Sequence, residues 1–243
     1  MRDGRLTVVL PVRDEGANLR AWWARASPRL PQDARVLLVY DEETDDTLPV
    51  ARALVAEGAR IASVRNQGAG FAAALLTGLR AVDSGPVLVT MADLADDLAA
   101  LPAMLAAWSA GADLVVGSRY VRGGSSVGGS RLKRLVGRWG SAVLRHAAQF
   151  PVRDASNAFR LYDGSLVHRL QVPPATGFEV MLALLLAAWQ AGARVEEVPA
   201  AWRARERGAS HFRLGWLPRY GALWLAALRY GLARPRERPA PSR

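Results

Sequence analysis

Residues 89–97 read VTMADLADD, an apolar run that ends in three carboxylates, Asp93, Asp96 and Asp97, within five positions. Just past a strand and at the start of a helix, carboxylates can act as plain caps favoured by the helix dipole, which accounts for one or two of them. Three at one ligand-binding edge suit a hard divalent cation, Mg2+ or Mn2+, which takes oxygen ligands and bridges to phosphate oxygens. The stretch YDEETDDT repeats the ambiguity: Asp45 or Thr44 can cap the helix that follows, while Asp41 stands at a strand tip. A carboxylate there accepts hydrogen bonds from a base N–H or from ribose hydroxyls. In NQGAGFAAAL, Gly68 and Gly70 precede a helix and would let backbone N–H groups approach a ligand, although two glycines alone predict only a turn.

Arginines form the second theme. Arg119, in GSRY, follows an apolar strand at the same edge as the acids, and a guanidinium fork suits phosphate oxygens. Arg131, Arg134 and Arg138 share one basic segment; Arg160 lies in AFRLY, and Arg203, Arg205 and Arg207 come near the end. Most surface arginines are merely solvated, so Arg119 carries the stronger expectation. Glu179 opens an apolar helix and reads equally as an N-terminal charge stabilising the dipole or as a base facing the site. His211 reads as a polar contact.

These residues need elements to position them. Apolar, β-branched runs at 6–12, 35–40, 86–91 and 113–116 read as strands buried on both faces, and RVEEVPAAW as a last strand. Helical patterns lie between them at about 16–26, 44–57, 69–82 and 97–109. That alternation predicts an α/β fold, a mostly parallel sheet flanked by helices, with ligands bound beyond the carboxyl ends of the strands. PVRDEG, YDEETDDT, MADLADD and GSRY all fall at such ends. VRGGSSVGGS is expected to be a mobile loop of the kind that closes over a ligand. A basic helix is expected at about 131–148 and a buried one, apolar all round, at about 177–191.

The 243 residues carry 32 basic and 22 acidic side chains, a formal charge of +10, which favours an anionic partner such as a phosphate ligand, an acidic membrane or a nucleic acid. The absence of cysteine excludes disulfides, a thiol nucleophile and thiolate metal sites. The first residues lack a secretory cleavage pattern, and the reading is a cytoplasmic protein. Neither of the most apolar stretches, 180–189 and 214–232, reaches the roughly 20 uninterrupted residues of a membrane span. Within the second, Arg219, Ala222, Ala226 and Arg229 form a narrow stripe beside a broad arc of Trp, Tyr and Leu. It reads equally as a helix pinned between domain and partner or as an amphipathic helix in peripheral contact with a membrane. The tail 235–243, rich in Pro and Arg, is expected to be disordered. A basic nucleic-acid-binding module is the competing class. Aromatic residues are not interleaved with the basic ones, so no nucleic acid is expected.

Taken in order from about residue 6 to 214, VVLPVRDEGANL, LLVYDEETDDT, NQGAGFAAALLTGL, TMADLADD, GADLVVGSRYVRGG, DASNAFRLY, GFEVML and RVEEVPAAWRARERGASHF resemble the family 2 glycosyltransferases. The resemblance is to the group that includes dolichol-phosphate mannosyltransferases and polyprenyl-phosphate sugar transferases. It implies a single GT-A domain over 1–214, with a nucleotide-sugar-binding half at 1–117 and an acceptor-side half at 118–214, followed by the amphipathic helix at 215–234. It also implies a GDP- or UDP-sugar donor, a divalent metal and inverting transfer, often onto a lipid-linked phosphate; a hydroxyl acceptor, or nucleotide binding without turnover, is the alternative. Carried over by position, Pro11, Arg13, Glu15 and Asp41 would line the nucleoside pocket. Asp93 would be the second acid of the metal motif, and Arg119, Arg134 and Arg205 would contact phosphates. Ser210 would end a loop that closes over the site. Met91 stands where the family usually carries its first aspartate. A thioether is a poor ligand for Mg2+, so either Asp93 holds the ion with Asp96 or Asp97 and the donor phosphates, or metal dependence is weak.

Overall fold

A computed structural model of the chain describes residues 2, 4–129, 131–204 and 217–234, with backbone only at 131–134, 136 and 217. In chain order the elements are β1 (Thr7–Pro11), α1 (Gly16–Ala26), β2 (Arg35–Tyr40), α2 (Thr47–Ala56), β3 (Ile61–Arg65), α3 (Gly70–Arg80) and β4 (Pro86–Val89). There follow α4 (Leu101–Ser109), β5 (Leu114–Ser118), β6 (Ser125–Val127), α5 (Arg131–Ala148), β7 (Arg160–Asp163), α6 (Gly164–Val167) and α7 (Val180–Gln190). The last are β8 (Val195–Pro199), β9 (Ala201–Arg203) and α8 (Leu217–Ala233).

Seven strands form one sheet in the order β3-β2-β1-β4-β7-β5-β8. All neighbours pair in parallel except β7, which runs antiparallel between β4 and β5. The mostly parallel sheet read from the alternation is therefore present. Two strands of it escaped the sequence reading. β3 sits at the sheet edge with every residue at least partly exposed, so IASVR lacks the apolar run of a central strand. In β7 a buried arginine and an aspartate flank two apolar residues.

Side chains alternate across the sheet and sort into two cores. Val9 and Val39 face α3, α7 and α8, whereas Val8, Leu10 and Leu38 face α1, α2 and α4. α7 is buried from Val180 to Trp189, because the sheet lies on one side and α8 on the other, which is why its sequence is apolar all round. α3 approaches the sheet through Gly78, where an added Cβ would stand 2.4 Å from Val9 Cγ1 and 2.9 Å from Val39 Cγ2. The glycine-rich stretch expected to be a mobile loop instead contributes β6, which pairs with β9 in a small second sheet. The segments 205–216 and 235–243, including the expected disordered tail, lie outside the described residues.

At the edge opposite the strands' carboxyl ends, Asp163 accepts from Trp108 Nε1 at 2.9 Å, from Arg2 Nη1 at 3.1 Å and from the Ser165 N–H at 3.0 Å. Burial alone would raise its pKa. Bonds from the Ser165 hydroxyl, Trp108 and the Ser165 N–H, together with the Arg2 charge, outweigh burial and hold the carboxyl below its ordinary value of 3.8. A depressed carboxylate pKa contributes stability above the unfolded value and loses it as pH falls through the folded one. Asp163→Ala leaves the buried Trp108 N–H without its acceptor. It should cost about 1–3 kcal/mol at pH 7, and the gap to the unaltered protein should narrow below pH 4 in urea melts.

Candidate active site at the carboxyl edge of the sheet

The loops after β1 and β2 leave the sheet side by side and are clamped together. Three successive N–H groups, of Asp14, Glu15 and Gly16, donate to Asp45 Oδ1 at 3.3 Å, Thr47 Oγ1 at 3.0 Å and Asp46 Oδ1 at 2.8 Å. Asp45 also accepts the Thr47 N–H at 2.9 Å, so it is Asp45 rather than Thr44 that serves the start of α2. Oxygens of Asp14, Asp45 and Asp46 lie within 4.8 Å of one another. These bonds give that cluster a structural purpose, since Asp45 and Asp46 satisfy backbone donors that would otherwise be orphaned.

Above the clamp an open cleft is lined by Arg13, Asp14, Asp41, Glu42, Thr44 and Asp45. Arg13 and Asp41 thus share one concavity. Glu15 and Pro11 do not line it: Glu15 accepts from Asn18 Nδ2 at 2.6 Å, and Pro11 is buried as the last residue of β1. Asp41 is held rigidly, its Oδ1 accepting from Asn66 Nδ2 at 2.5 Å and its Oδ2 from the Gly70 N–H at 3.2 Å. Asn66, at the end of β3, is buried, and its own Oδ1 accepts from the Gly68 N–H at 3.0 Å. The N–H groups of Gly68 and Gly70, expected to meet a ligand, are therefore taken up by Asn66 and Asp41. Gly70 has φ +77°, which explains its residue type.

Two strands away, the acids after β4 separate into different roles. Asp97 is exposed and caps the short 3-10 turn at Leu98–Ala100, its Oδ1 accepting from the Ala99 N–H at 3.0 Å. Of the three it fits the capping reading and not the metal one. Asp93 is buried, with Oδ1 accepting from the Ala95 N–H at 3.1 Å. Asp96 accepts from Thr90 Oγ1 at 2.9 Å. Burial, and then the neighbouring Asp93 charge, push Asp96 up to about 7 against the Thr90 and Met91 N–H bonds and the Arg119 charge. Leu94, between the two acids, has φ +62°, a costly conformation for a branched side chain. The loop is held from outside by β9: Asp96 bridges Trp202, and the Arg203 N–H donates to Ala95 O at 2.9 Å.

Arg119 leaves the end of β5 within electrostatic reach of Asp96. Its fork is already engaged by the fully buried Asp154, from Nε to Oδ2 and Nη2 to Oδ1 at 2.7 Å each, and Nη2 also donates to Ser156 Oγ at 3.0 Å. Two of its nitrogens are thus committed to the protein, which leaves Nη1 as the nitrogen not used in these bonds. Asp154 and Asn66 are the site residues that sequence reasoning missed. Asp154 lies in DASNAFRLY, but its partner is 35 residues distant, and only the fold pairs them.

Glu179 is fully buried, and its Oε1 accepts the N–H groups of Thr176 at 2.9 Å and Gly177 at 3.1 Å. Of its two readings the geometry supports the structural one, because a carboxylate sealed from solvent and engaged by backbone is not placed to take a proton from an acceptor. Arg134 falls near the start of α5 where only backbone is described, and Arg205, Arg207, Ser210 and His211 lie outside the described residues.

The family model for glycosyl transferase family 2 matches residues 7–170. A polyprenol monophosphomannose synthase of Mycolicibacterium smegmatis is 30% identical over 216 residues, covering 85% of this chain and 80% of that protein. An undecaprenyl-phosphate mannosyltransferase of Micrococcus luteus is 28% identical, covering 94% and 95%. A dolichol-phosphate mannosyltransferase of Pyrococcus furiosus is 26% identical over 86% of this chain, which spans only 59% of that longer protein. Among solved structures, glucosyl-3-phosphoglycerate synthase of Mycobacterium tuberculosis in complex with phosphoglyceric acid superposes with a TM-score of 0.66 at 23% identity, over 96% of this chain and 81% of that one. The same enzyme has been solved with Mn2+ and UDP-glucose and with Mg2+ and UDP. With a GT-A sheet, acidic loops at its carboxyl edge and a family match over most of its length, this chain belongs to glycosyl transferase family 2 and is a glycosyltransferase.

Proposed function

We propose that the protein transfers a sugar, with inversion, from a GDP- or UDP-sugar to a lipid-linked phosphate of the polyprenyl phosphate kind. The observation that carries this reading is the meeting of unlike groups along one sheet edge. The Arg13–Asp41 cleft lies at β1 and β2, and Asp93, Asp96 and Arg119 lie at β4 and β5. Strands about 5 Å apart put the two groups within roughly 20 Å, the scale of one nucleoside diphosphate sugar. Asp41 would accept from the nucleoside and Arg119 would meet phosphate oxygens through Nη1. The relatives named for polyprenol and undecaprenyl phosphate support the acceptor class.

A divalent metal fits the residues present. Two carboxylates, Asp93 and Asp96, are crowded enough in a buried loop that the charge of one raises the other, an arrangement a cation relieves. Such an ion would be held by Asp93 and Asp96, and when bound it would neutralise charge on the departing diphosphate. An acceptor phosphate is already ionised at neutral pH. Its oxygen attacks the anomeric carbon as the bond to the nucleoside diphosphate breaks on the opposite face, so no strong base is needed. That is consistent with the sealed position of Glu179.

The lipid acceptor implies contact with a membrane, and two neighbouring helices carry exposed apolar residues that suit it. Leu135, Trp139 and Val143 fall four residues apart along α5 and are exposed, as are Leu225 and Leu232 on α8, which packs beside it. With a net charge of +10, an apolar stripe of this kind favours an anionic lipid surface. No helix among the described residues is long and apolar enough to cross a membrane.

Calorimetry against a panel of GDP- and UDP-sugars with Mn2+ should detect a donor, and Asp41→Asn should weaken it by about 10- to 100-fold, the worth of hydrogen bonds to a charged group. Absence of binding across the panel, or of transfer to a polyprenyl phosphate in detergent, overturns the reading. In flotation with vesicles containing phosphatidylglycerol, Trp139→Ala should lower partitioning by roughly tenfold or more, as the loss of one large apolar side chain predicts.

A further inference from the structure

The C-terminal helix touches the donor side of the molecule through a short relay of contacts. From the first turn of α8, the Arg219 guanidinium donates to Thr176 Oγ1 and stands 3.8 Å from Glu179 Oε1. Those two residues bracket a tight turn that Glu179 organises through the N–H groups of Thr176 and Gly177. The turn carries Phe178, whose ring stacks on Phe71 with centroids 4.2 Å apart and planes 10° from parallel. Phe71 opens α3 beside Gly70, and an added Cβ on Gly70 would find the Thr176 carbonyl at 3.7 Å. Gly70 in turn donates its N–H to Asp41, and its carbonyl accepts from Asn66.

The charge at the start of this relay is needed where it stands. Glu179 is fully buried, and its Oε2 has no hydrogen-bond partner among the described residues. A buried carboxylate with one oxygen unbonded is costly unless a cation is near. Among the described residues Arg219 is the cation within 4 Å of it, and its side chain is 53% exposed, so it reaches the turn from solvent.

We infer that Arg219 is a positioning residue for the donor pocket, acting through the 176–179 turn, the Phe178–Phe71 stack and Gly70 on the orientation of Asp41. The inference rests on the donor reading above and adds a coupling between the helix proposed to meet the membrane and the pocket that binds the nucleotide. Seating α8 then orders Asp41 for the donor, and loosening α8 relaxes it.

The test measures donor affinity by calorimetry, using the nucleotide sugar that the unaltered full chain binds, and steady-state transfer alongside it. Arg219→Ala and Thr176→Val should each raise the donor Kd and KM by about three- to tenfold, with the acceptor KM unchanged in detergent. Arg219→Lys should recover part of the loss. In an Asp41→Asn background, Arg219→Ala should have no further effect. Arg80→Ala, which removes the same charge from the exposed end of α3, should leave donor affinity as it was. Donor affinity unchanged in both Arg219→Ala and Thr176→Val overturns the inference while leaving the transferase reading intact, as does a loss equal in size with and without the Asp41 carboxylate. An unaltered chain that binds no nucleotide sugar removes both. A fall in melting temperature with unchanged Kd identifies a merely structural contact and also overturns it.

Discussion

A buried polar group must find a partner, and at the carboxyl edge of this sheet that requirement decides which residues remain available to a ligand. Strands that end in polar loops deliver more carboxylates, amides and backbone donors than the interior can leave unpaired. Most are paired with one another: Asp45 and Asp46 with the loop after β1, Gly70 with Asp41, and Asp154 with Arg119. What faces solvent beyond those pairings is the cleft lined by Arg13, Asp41, Glu42 and Thr44. Pre-organisation follows from the same economy of partners, since Asp41 is held by two donors before any nucleotide arrives.

The acid loop departs from that pattern in an informative way. Asp93 and Asp96 are packed together under β9 with a strained Leu94 between them, and burial with mutual repulsion raises Asp96 to about 7. Such crowding is unfavourable for the protein by itself, and strain and shifted titration of this kind gather at functional sites. Met91 contributes no charge to it. The small β6–β9 sheet explains how the loop is kept in place, because β9 pairs with the backbone of residues 95–97.

α5 and α8 add a second face whose chemistry differs from that of the edge. Each buries one side, with Leu144 and Ala148 on α5 and Leu223 and Ala227 on α8 in the common core, and each exposes large apolar residues on another. The helices approach closely: Gly231 leaves room for the Ala148 backbone, and Trp224 Nε1 donates to Gly140 O at 3.0 Å. The two helices thus form one packed layer, from which α8 also reaches the turn at Thr176 through Arg219.

Much of this was legible in the sequence because it depends on local pattern. Strands buried on both faces need β-branched runs, and parallel strands need helices between them, so the α/β sheet and its polar edge could be read from the order of residues. Asp41, Arg13 and the acid loop could be placed at that edge for the same reason. Tertiary structure alone decided which of these polar groups are consumed by partners distant in the chain. Arg119 meets Asp154 across 35 residues, Asp41 meets Asn66 across 25, and Glu179 closes its own turn under an arginine 40 residues later. A hydrogen-bond inventory is a property of what the fold brings together, and spacing along the chain carries no record of it.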